Sequence, residues 1–325
     1  MNKVIYFHRN LKAGYSINKV TQTVVGLINP KEEYYLPSNR ATPIAIIRNL
    51  WFVFRHRKKD CYNHLTGDAH YCMLALLGCK SILTVHDTSE YILARSSYIK
   101  RKLLEYLMFR IPFRCADQIV CISEATKQTV LKYTDRKDIK VIHNAVPVPA
   151  RPSSADAVSI HSPFRVLIIG TRANKNVERS LRALSGLDCR ITIVGPLSKE
   201  QSSLIEEKSL CVINKNDLTD DELAAEYRST DLVLFCSLYE GFGMPIIEAN
   251  SYGKAVLASN LPVLMEVGGD AAMYVDPMNE DSIRNGVEAI MRDEKLRTAL
   301  IENGYKNIER FTPEHISNLW KSLYK

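Results

Sequence analysis

Residues 231–277 read DLVLFCSLYEGFGMPIIEANSYGKAVLASNLPVLMEVGGDAAMYVDP, and how they are read decides the fold. DLVLFCS (231–237) and KAVLAS (254–259) are short apolar runs of the buried-strand type. Between them, Gly241 and Gly243 permit close backbone approach, and Pro245 suits the first turn of a helix, where its missing N–H is not needed. A strand ending near Ser237 leaves Glu240 at the carboxyl edge of a parallel sheet, where open α/β sheets collect ligands. Glu248 then falls about one turn into the helix. Free amides at a helix N-terminus attract phosphate oxygens. Two carboxylates repel phosphate and instead accept hydrogen bonds from hydroxyls. A ligand that satisfies both carries phosphates and vicinal hydroxyls, which describes a nucleotide sugar. A dinucleotide fold is the rival reading, but Ile246 stands where the third glycine of G-x-G-x-x-G belongs, and the loop comes late in its domain.

The same alternation of strand and helix organises the rest of the chain. KVIYFH, SILTVHD, QIVCIS and KVIHNAV read as buried strands in the first half, and FRVLIIG and RITIVG precede the quoted stretch in the second. Helical patterns follow in EATKQTVLKY, NVERSLRALSG and DDELAAEYRS, the last opened by Thr219 as N-cap with acids in its first turn. Residues 146–164, with four prolines and several serines, read as a linker. The expected organisation is an α/β chain of two Rossmann-like domains, 1–150 and 151–307, with parallel sheets facing an interdomain cleft. A last amphipathic helix, within 308–325, is expected to cross back to the first domain.

Composition narrows the partners. No apolar run is long enough to span a bilayer, and the N-terminus MNKVIYFHRN has no signal-peptide pattern, so a cytoplasmic protein is expected. The eight cysteines form no C-x-x-C pair and read as buried, inert thiols. Residues 1–150 carry 23 lysines and arginines against 11 acids, a balance of +12, and residues 151–325 carry 20 against 25, or −5, which together give +7 for the chain. A basic half points to phosphate groups, nucleic acid or an anionic membrane surface. No nucleic-acid module with base-stacking aromatics is present, so nucleic acid is set aside. FRHRKKD (54–60) and YIKRKLLEYLMFRIPFR (98–114) are the basic stretches, the latter a candidate to lie peripherally on a membrane or to bury its apolar side in the core.

The motifs EGFGMP, Glu-x7-Glu and the later GDAA resemble the retaining GT-B glycosyltransferases of family 4 (glycosyl transferases group 1). IIGTRANKNVERSLRAL, LTVHD, ADQIVCISEATK and HNAV are similar to further segments of that family, densely from about residue 81 to 277. The resemblance implies transfer of a hexose-type sugar from a nucleotide-diphosphate sugar to a glycan or polyprenyl-diphosphate-linked acceptor in surface polysaccharide synthesis. It implies that Glu248 binds the ribose hydroxyls and Glu240 the hydroxyls of the transferred sugar. Arg172 and Lys175 would neutralise the diphosphate, and His86 would lie over the donor sugar. Gly170, Thr171, Gly241, Phe242, Gly243, Met244 and Pro245 would line the donor site. Gly14 and Tyr15 would face the acceptor, although Ala13 stands where relatives often have a second glycine. No D-x-D pair sits at a strand end, so transfer without a metal or other cofactor is expected, the cations taking that role. The resemblance further implies retention through same-face attack, with a covalent intermediate as the open alternative. Other open readings are a nucleotide-sugar epimerase, a sugar phosphorylase or a non-catalytic nucleotide-sugar-binding protein.

Overall fold

Strand Val4–His8 (β1) sends Val4 and Tyr6 to one face of its sheet and Ile5 and Phe7 to the other, and all four are buried. A strand covered on both faces belongs inside a parallel sheet. The computed structural model, which describes residues 2–13, 15–40, 42–88, 98–147, 149 and 160–325, has two such sheets of six strands each. The first joins β1 to Lys31–Tyr35 (β2), Tyr62–Leu65 (β3), Ser81–Val85 (β4), Gln118–Cys121 (β5) and Lys140–Val141 (β6) in the order β2-β1-β3-β4-β5-β6. The second contains Phe164–Ile169 (β7), Cys189–Val194 (β8), Val212–Lys215 (β9), Leu232–Phe235 (β10), Ala255–Ser259 (β11) and Met273–Val275 (β12), ordered β12-β11-β10-β7-β8-β9. All neighbours run parallel. Among the described residues no helix is long and apolar enough to cross a membrane.

Every strand expected from the sequence is present, although KVIHNAV contributes only two residues as β6. Strands β2, β3, β9 and β12 were not expected. KEEYY (β2) is a half-buried edge strand carrying the Lys31–Glu33 ion pair at 3.0 Å, so it has no apolar run to announce it. Thr219 caps its helix as expected, and the box is reciprocal: the Glu222 amide donates to the Thr219 hydroxyl and the Thr219 amide to the Glu222 carboxylate. Not all cysteines are buried, since Cys211 is exposed and Cys61 and Cys115 are half-buried. In the basic stretch 98–114, Phe109 and Phe113 enter the core while Arg101, Lys102, Arg110 and Arg114 stay exposed.

The chain divides into two compact units, Met1–Ala145 with Thr312–Lys325, and Val146–Phe311. In the first unit the Pro313–Leu323 helix and Tyr324 pack on the β1 face that carries Val4 and Tyr6. There the buried Tyr6 hydroxyl donates to Tyr324 (3.1 Å), Tyr324 to His64 Nδ1 (2.7 Å), and His64 Nε2 to Thr84 (2.7 Å). This order satisfies each buried polar atom only with a neutral imidazole. Burial holds the His64 pKa down at about 3, and His8, His70 and His86 are likewise lowered by burial. Protons taken up near pH 6.5 by the unfolded chain are therefore refused by the fold, and stability is lost as pH falls below that value. Urea unfolding at pH 7 and pH 5, above the carboxylate range, is expected to show this as a loss of up to about 1.4 kcal/mol per pH unit for each histidine. Stability that is flat or rising on acidification would contradict the buried neutral network.

Candidate functional site

In the second sheet the chain runs β7-β8-β9 to one side and β10-β11-β12 to the other, so loops leaving β7 and β10 face each other at a topological switch point. Gly170 ends β7 at φ 86°, where a Cβ would lie 3.1 Å from the Lys175 Cε. Glycine there lets the Lys175 stem fold back over the backbone. Thr171 donates its hydroxyl to the Pro196 carbonyl, and Ala173–Lys175 forms a single 3-10 turn. Asn176 follows in the left-handed region at φ 57°, and its amide donates to the carbonyls of Cys236 (3.0 Å) and Pro277 (2.8 Å). These bonds pin the β7 loop to the ends of β10 and β12.

Across the switch point, Lys175 Nζ meets Glu240 Oε1 at 2.6 Å, with the lysine 20% and the glutamate 13% exposed. The same ammonium lies 4.7 Å from the Phe235 ring centroid. Asn174 donates to the Tyr239 carbonyl at 3.0 Å, and the Leu238 amide donates back to the Asn174 carbonyl at 2.8 Å. Gly241 and the buried Phe242 lead into the Met244–Ser251 helix, Phe242 resting edge-on against Phe311. Gly243 takes φ 108°, and a Cβ there would meet Leu264 Cδ2 at 2.6 Å, so no other residue fits without movement. Pro245 occupies the first turn beside Met244, as its missing donor allows.

Glu248 lies in that helix, and its Oε2 accepts a 2.6 Å hydrogen bond from the Tyr227 hydroxyl. Tyr227 comes from the Asp220–Ser229 helix, is 1% exposed and stacks on Tyr252 at 5.4 Å. Burial, and then the Glu248 charge, push its phenol far above the ordinary tyrosine value, so it remains a donor. Arg172 is exposed and makes no ion pair among the described residues.

Of the residues singled out in the sequence, Gly170, Thr171, Lys175, Glu240, Gly241, Phe242, Gly243, Met244 and Pro245 share this switch-point cluster. Glu248 sits one turn into its helix. His86 belongs to the other unit, where it follows β4, donates from Nε2 to the Thr66 carbonyl at 2.9 Å and stays neutral through burial. It lines a recess with His64, His143, Asn144 and Trp320. Gly14 lies outside the described residues, and Tyr15 is described only as the backbone start of the Tyr15–Val25 helix. Asn176 and Tyr227 were missed. The Asn-Lys-Asn run was a local signal for a left-handed turn, whereas nothing local marks Tyr227.

The chain thus combines two α/β units, each built on a six-stranded parallel sheet, with a lysine–carboxylate cluster at the switch point of the second. A crystal structure of Anabaena Alr3699/HepE in complex with UDP and glucose matches 99% of this chain and 99% of that one with TM-score 0.76 at 16% identity. The family model for glycosyl transferases group 1 matches residues 153–307, and that for glycosyltransferase family 4 matches residues 4–148. The chain belongs to the family 4-like GT-B glycosyltransferases. The serotype-specific mannosyltransferase WbdA of Escherichia coli is 28% identical over 267 residues, covering 74% of this chain and 32% of the relative. O-antigen chain mannosyltransferase B of Escherichia coli is 33% identical over 106 residues, covering 33% of this chain and 28% of the relative. The chain thus spans about a third or less of these relatives' lengths.

The Tyr227–Glu248 contact can be tested without any substrate. A double-mutant cycle of Tyr227→Phe and Glu248→Ala, read by urea unfolding, is expected to give a coupling of about 1.5–3 kcal/mol, the range for hydrogen bonds to charged groups. A coupling near zero would mean that the hydroxyl does not hold the carboxylate.

Proposed function

We propose that the chain transfers a hexose-type residue from a nucleotide-diphosphate sugar to a glycan or polyprenyl-diphosphate-linked acceptor in surface polysaccharide synthesis, at the cytoplasmic membrane face. The observation that carries this reading is the Lys175–Glu240 pair at the switch point, 2.6 Å apart. A diphosphate offers Lys175 more negative charge than one carboxylate does. On donor binding the ammonium moves to the phosphates, and Glu240 is released to accept hydrogen bonds from the sugar hydroxyls. Arg172 and the amides opening the Met244–Ser251 helix add positive potential where the leaving nucleoside diphosphate gains charge. These cationic groups perform the charge neutralisation that a divalent ion performs elsewhere, so the reaction proceeds without a metal. Glu248, held by Tyr227, receives the ribose hydroxyls.

Bond-making follows from this electrostatic arrangement. The anomeric C–O bond to the diphosphate breaks, an oxocarbenium-like centre forms, and an acceptor hydroxyl attacks from the departing face with retention, its proton passing to the departing diphosphate oxygen. The two Escherichia coli relatives are named as mannosyltransferases, which makes mannose the first sugar to test.

Transfer assays on a matched donor and acceptor should show Glu240→Ala and Lys175→Ala each reduced by about a hundredfold or more, the scale of losing one charge-stabilising group. Activity near wild type in both variants would remove the assignment. Donor turnover without acceptor would instead indicate an epimerase, dependence on inorganic phosphate would indicate a phosphorylase, and nucleotide binding with no turnover would indicate a binding protein.

A further inference from the structure

A helix packed on a sheet ordinarily turns apolar residues inward and charged residues outward. The Pro43–His56 helix departs from this. Its buried positions are Ala45, Asn49 and Val53, whereas Ile44, Ile47, Trp51 and Phe54 are 81, 66, 62 and 55% exposed. Their spacing of three, four and three residues places them along one narrow outward stripe. The orientation is fixed by a polar clasp on the inward side. Asn49 accepts from the Ser38 amide (3.0 Å) and donates to the Ser38 carbonyl (3.0 Å) and the Tyr71 hydroxyl (2.8 Å). Rotating the stripe inward would break all three bonds, so the exposure is specified by the sequence. A continuous exposed apolar patch marks a partner site.

The rim of the stripe is basic. Arg48 and Arg55 are exposed beside it, Arg40 precedes it and Lys59 follows. The Arg55 guanidinium lies 5.5 Å from the Trp51 ring centroid, and Arg57 lies 4.0 Å from that of Phe54. Lys58 is paired with Glu32 at 2.7 Å, but among the described residues no acid pairs with Arg40, Arg48, Arg55 or Lys59. Asp60 is the single acid between residues 34 and 67.

We propose that this face docks the chain on an anionic lipid bilayer. Ile44, Ile47, Trp51 and Phe54 enter the headgroup–acyl boundary while the arginines sit at the level of the lipid phosphates. A helix of 14 residues is about 21 Å long, enough to lie in the interface and too short to cross a core of about 30 Å. A second copy fits this face poorly, because two-fold pairing through the stripe brings Arg48 and Arg55 of both copies together with no acid between them. A protein partner would need an acidic rim around an apolar groove. The bilayer supplies both features at once, and the formal +12 of residues 1–150 favours its negative surface.

The test is flotation of the whole chain with vesicles of phosphatidylcholine containing about one-third phosphatidylglycerol, compared with phosphatidylcholine alone and at rising salt. The assay contains neither donor nor acceptor, so its outcome is independent of the transfer reaction. Wild type should float with the anionic vesicles, and its tryptophan emission should shift to the blue. Of the two tryptophans Trp320 is only 8% exposed, so the shift reports Trp51. The triple variant Ile47→Ser, Trp51→Ser, Phe54→Ser should lose about tenfold or more in partitioning, with an unchanged far-ultraviolet circular dichroism spectrum. Arg48→Gln with Arg55→Gln, which keeps the apolar stripe, should lose roughly fivefold per arginine. Failure of wild type to float, or either variant floating like wild type, overturns the proposal. So does a wild-type dimer by light scattering that the triple variant converts to monomer, since a second copy would then occupy the face.

Discussion

The ion pair between Lys175 and Glu240 joins two loops that leave the second sheet on opposite sides of its switch point, and the local architecture is arranged to bring them together. Gly170 clears the path for the lysine stem, Asn176 fixes the turn that ends the β7 loop, and Asn174 exchanges hydrogen bonds with the β10 loop. Removing either charge from so enclosed a pair leaves the other uncompensated, which is why such pairs are costly to break and sensitive to an incoming ion. In the proposed reaction the pair keeps the site close to neutral until a diphosphate arrives. The cation is then already in position, and little reorganisation is needed as charge develops on the leaving group.

What could be read from the sequence follows from where the constraints are local. Gly241, Gly243 and Pro245 advertise a loop entering a helix because backbone geometry restricts residue type directly, and the structure finds φ 108° at Gly243 and the proline in the first turn. Lys175 and Glu240 were legible as members of one cluster, but their direct pairing was not, since 65 residues separate them. Tyr227 lies 21 residues before Glu248 and contacts it only through tertiary packing, so no period or motif reveals it. The bond between His64 and Tyr324 spans 260 residues and depends on the last helix reaching the first sheet. Edge strand β2 stayed hidden because its half-buried, ion-paired lysine and glutamates replace the apolar alternation by which strands are recognised.

The first unit teaches a related lesson about amphipathic helices. PIAIIRNLWFVFRH is apolar on nearly every side, so periodicity alone does not say which face is buried. The inward face is decided by Asn49, a polar residue, through its bonds to Ser38 and Tyr71. The basic stretch after residue 97 divides its apolar residues, burying Phe109 and Phe113 while leaving Leu103 and Tyr106 exposed. The two units thus differ in character, one basic with an outward apolar stripe and the other acidic with a cation-bearing switch point.

The central claim is that Lys175 serves the diphosphate and Glu240 the sugar, and calorimetric titration with the diphosphates of uridine, guanosine and adenosine separates the two directly. A nucleoside diphosphate has no transferred sugar, so it engages the lysine and ignores the glutamate. The account expects one of the three to bind wild type, and Lys175→Ala to weaken it about tenfold or more through loss of a charge-assisted bond. Glu240→Gln should bind it as tightly as wild type or tighter, because the ammonium is no longer shared. Glu240→Gln weakening the nucleoside diphosphate as much as Lys175→Ala, or no binding of any of the three to wild type, would contradict it.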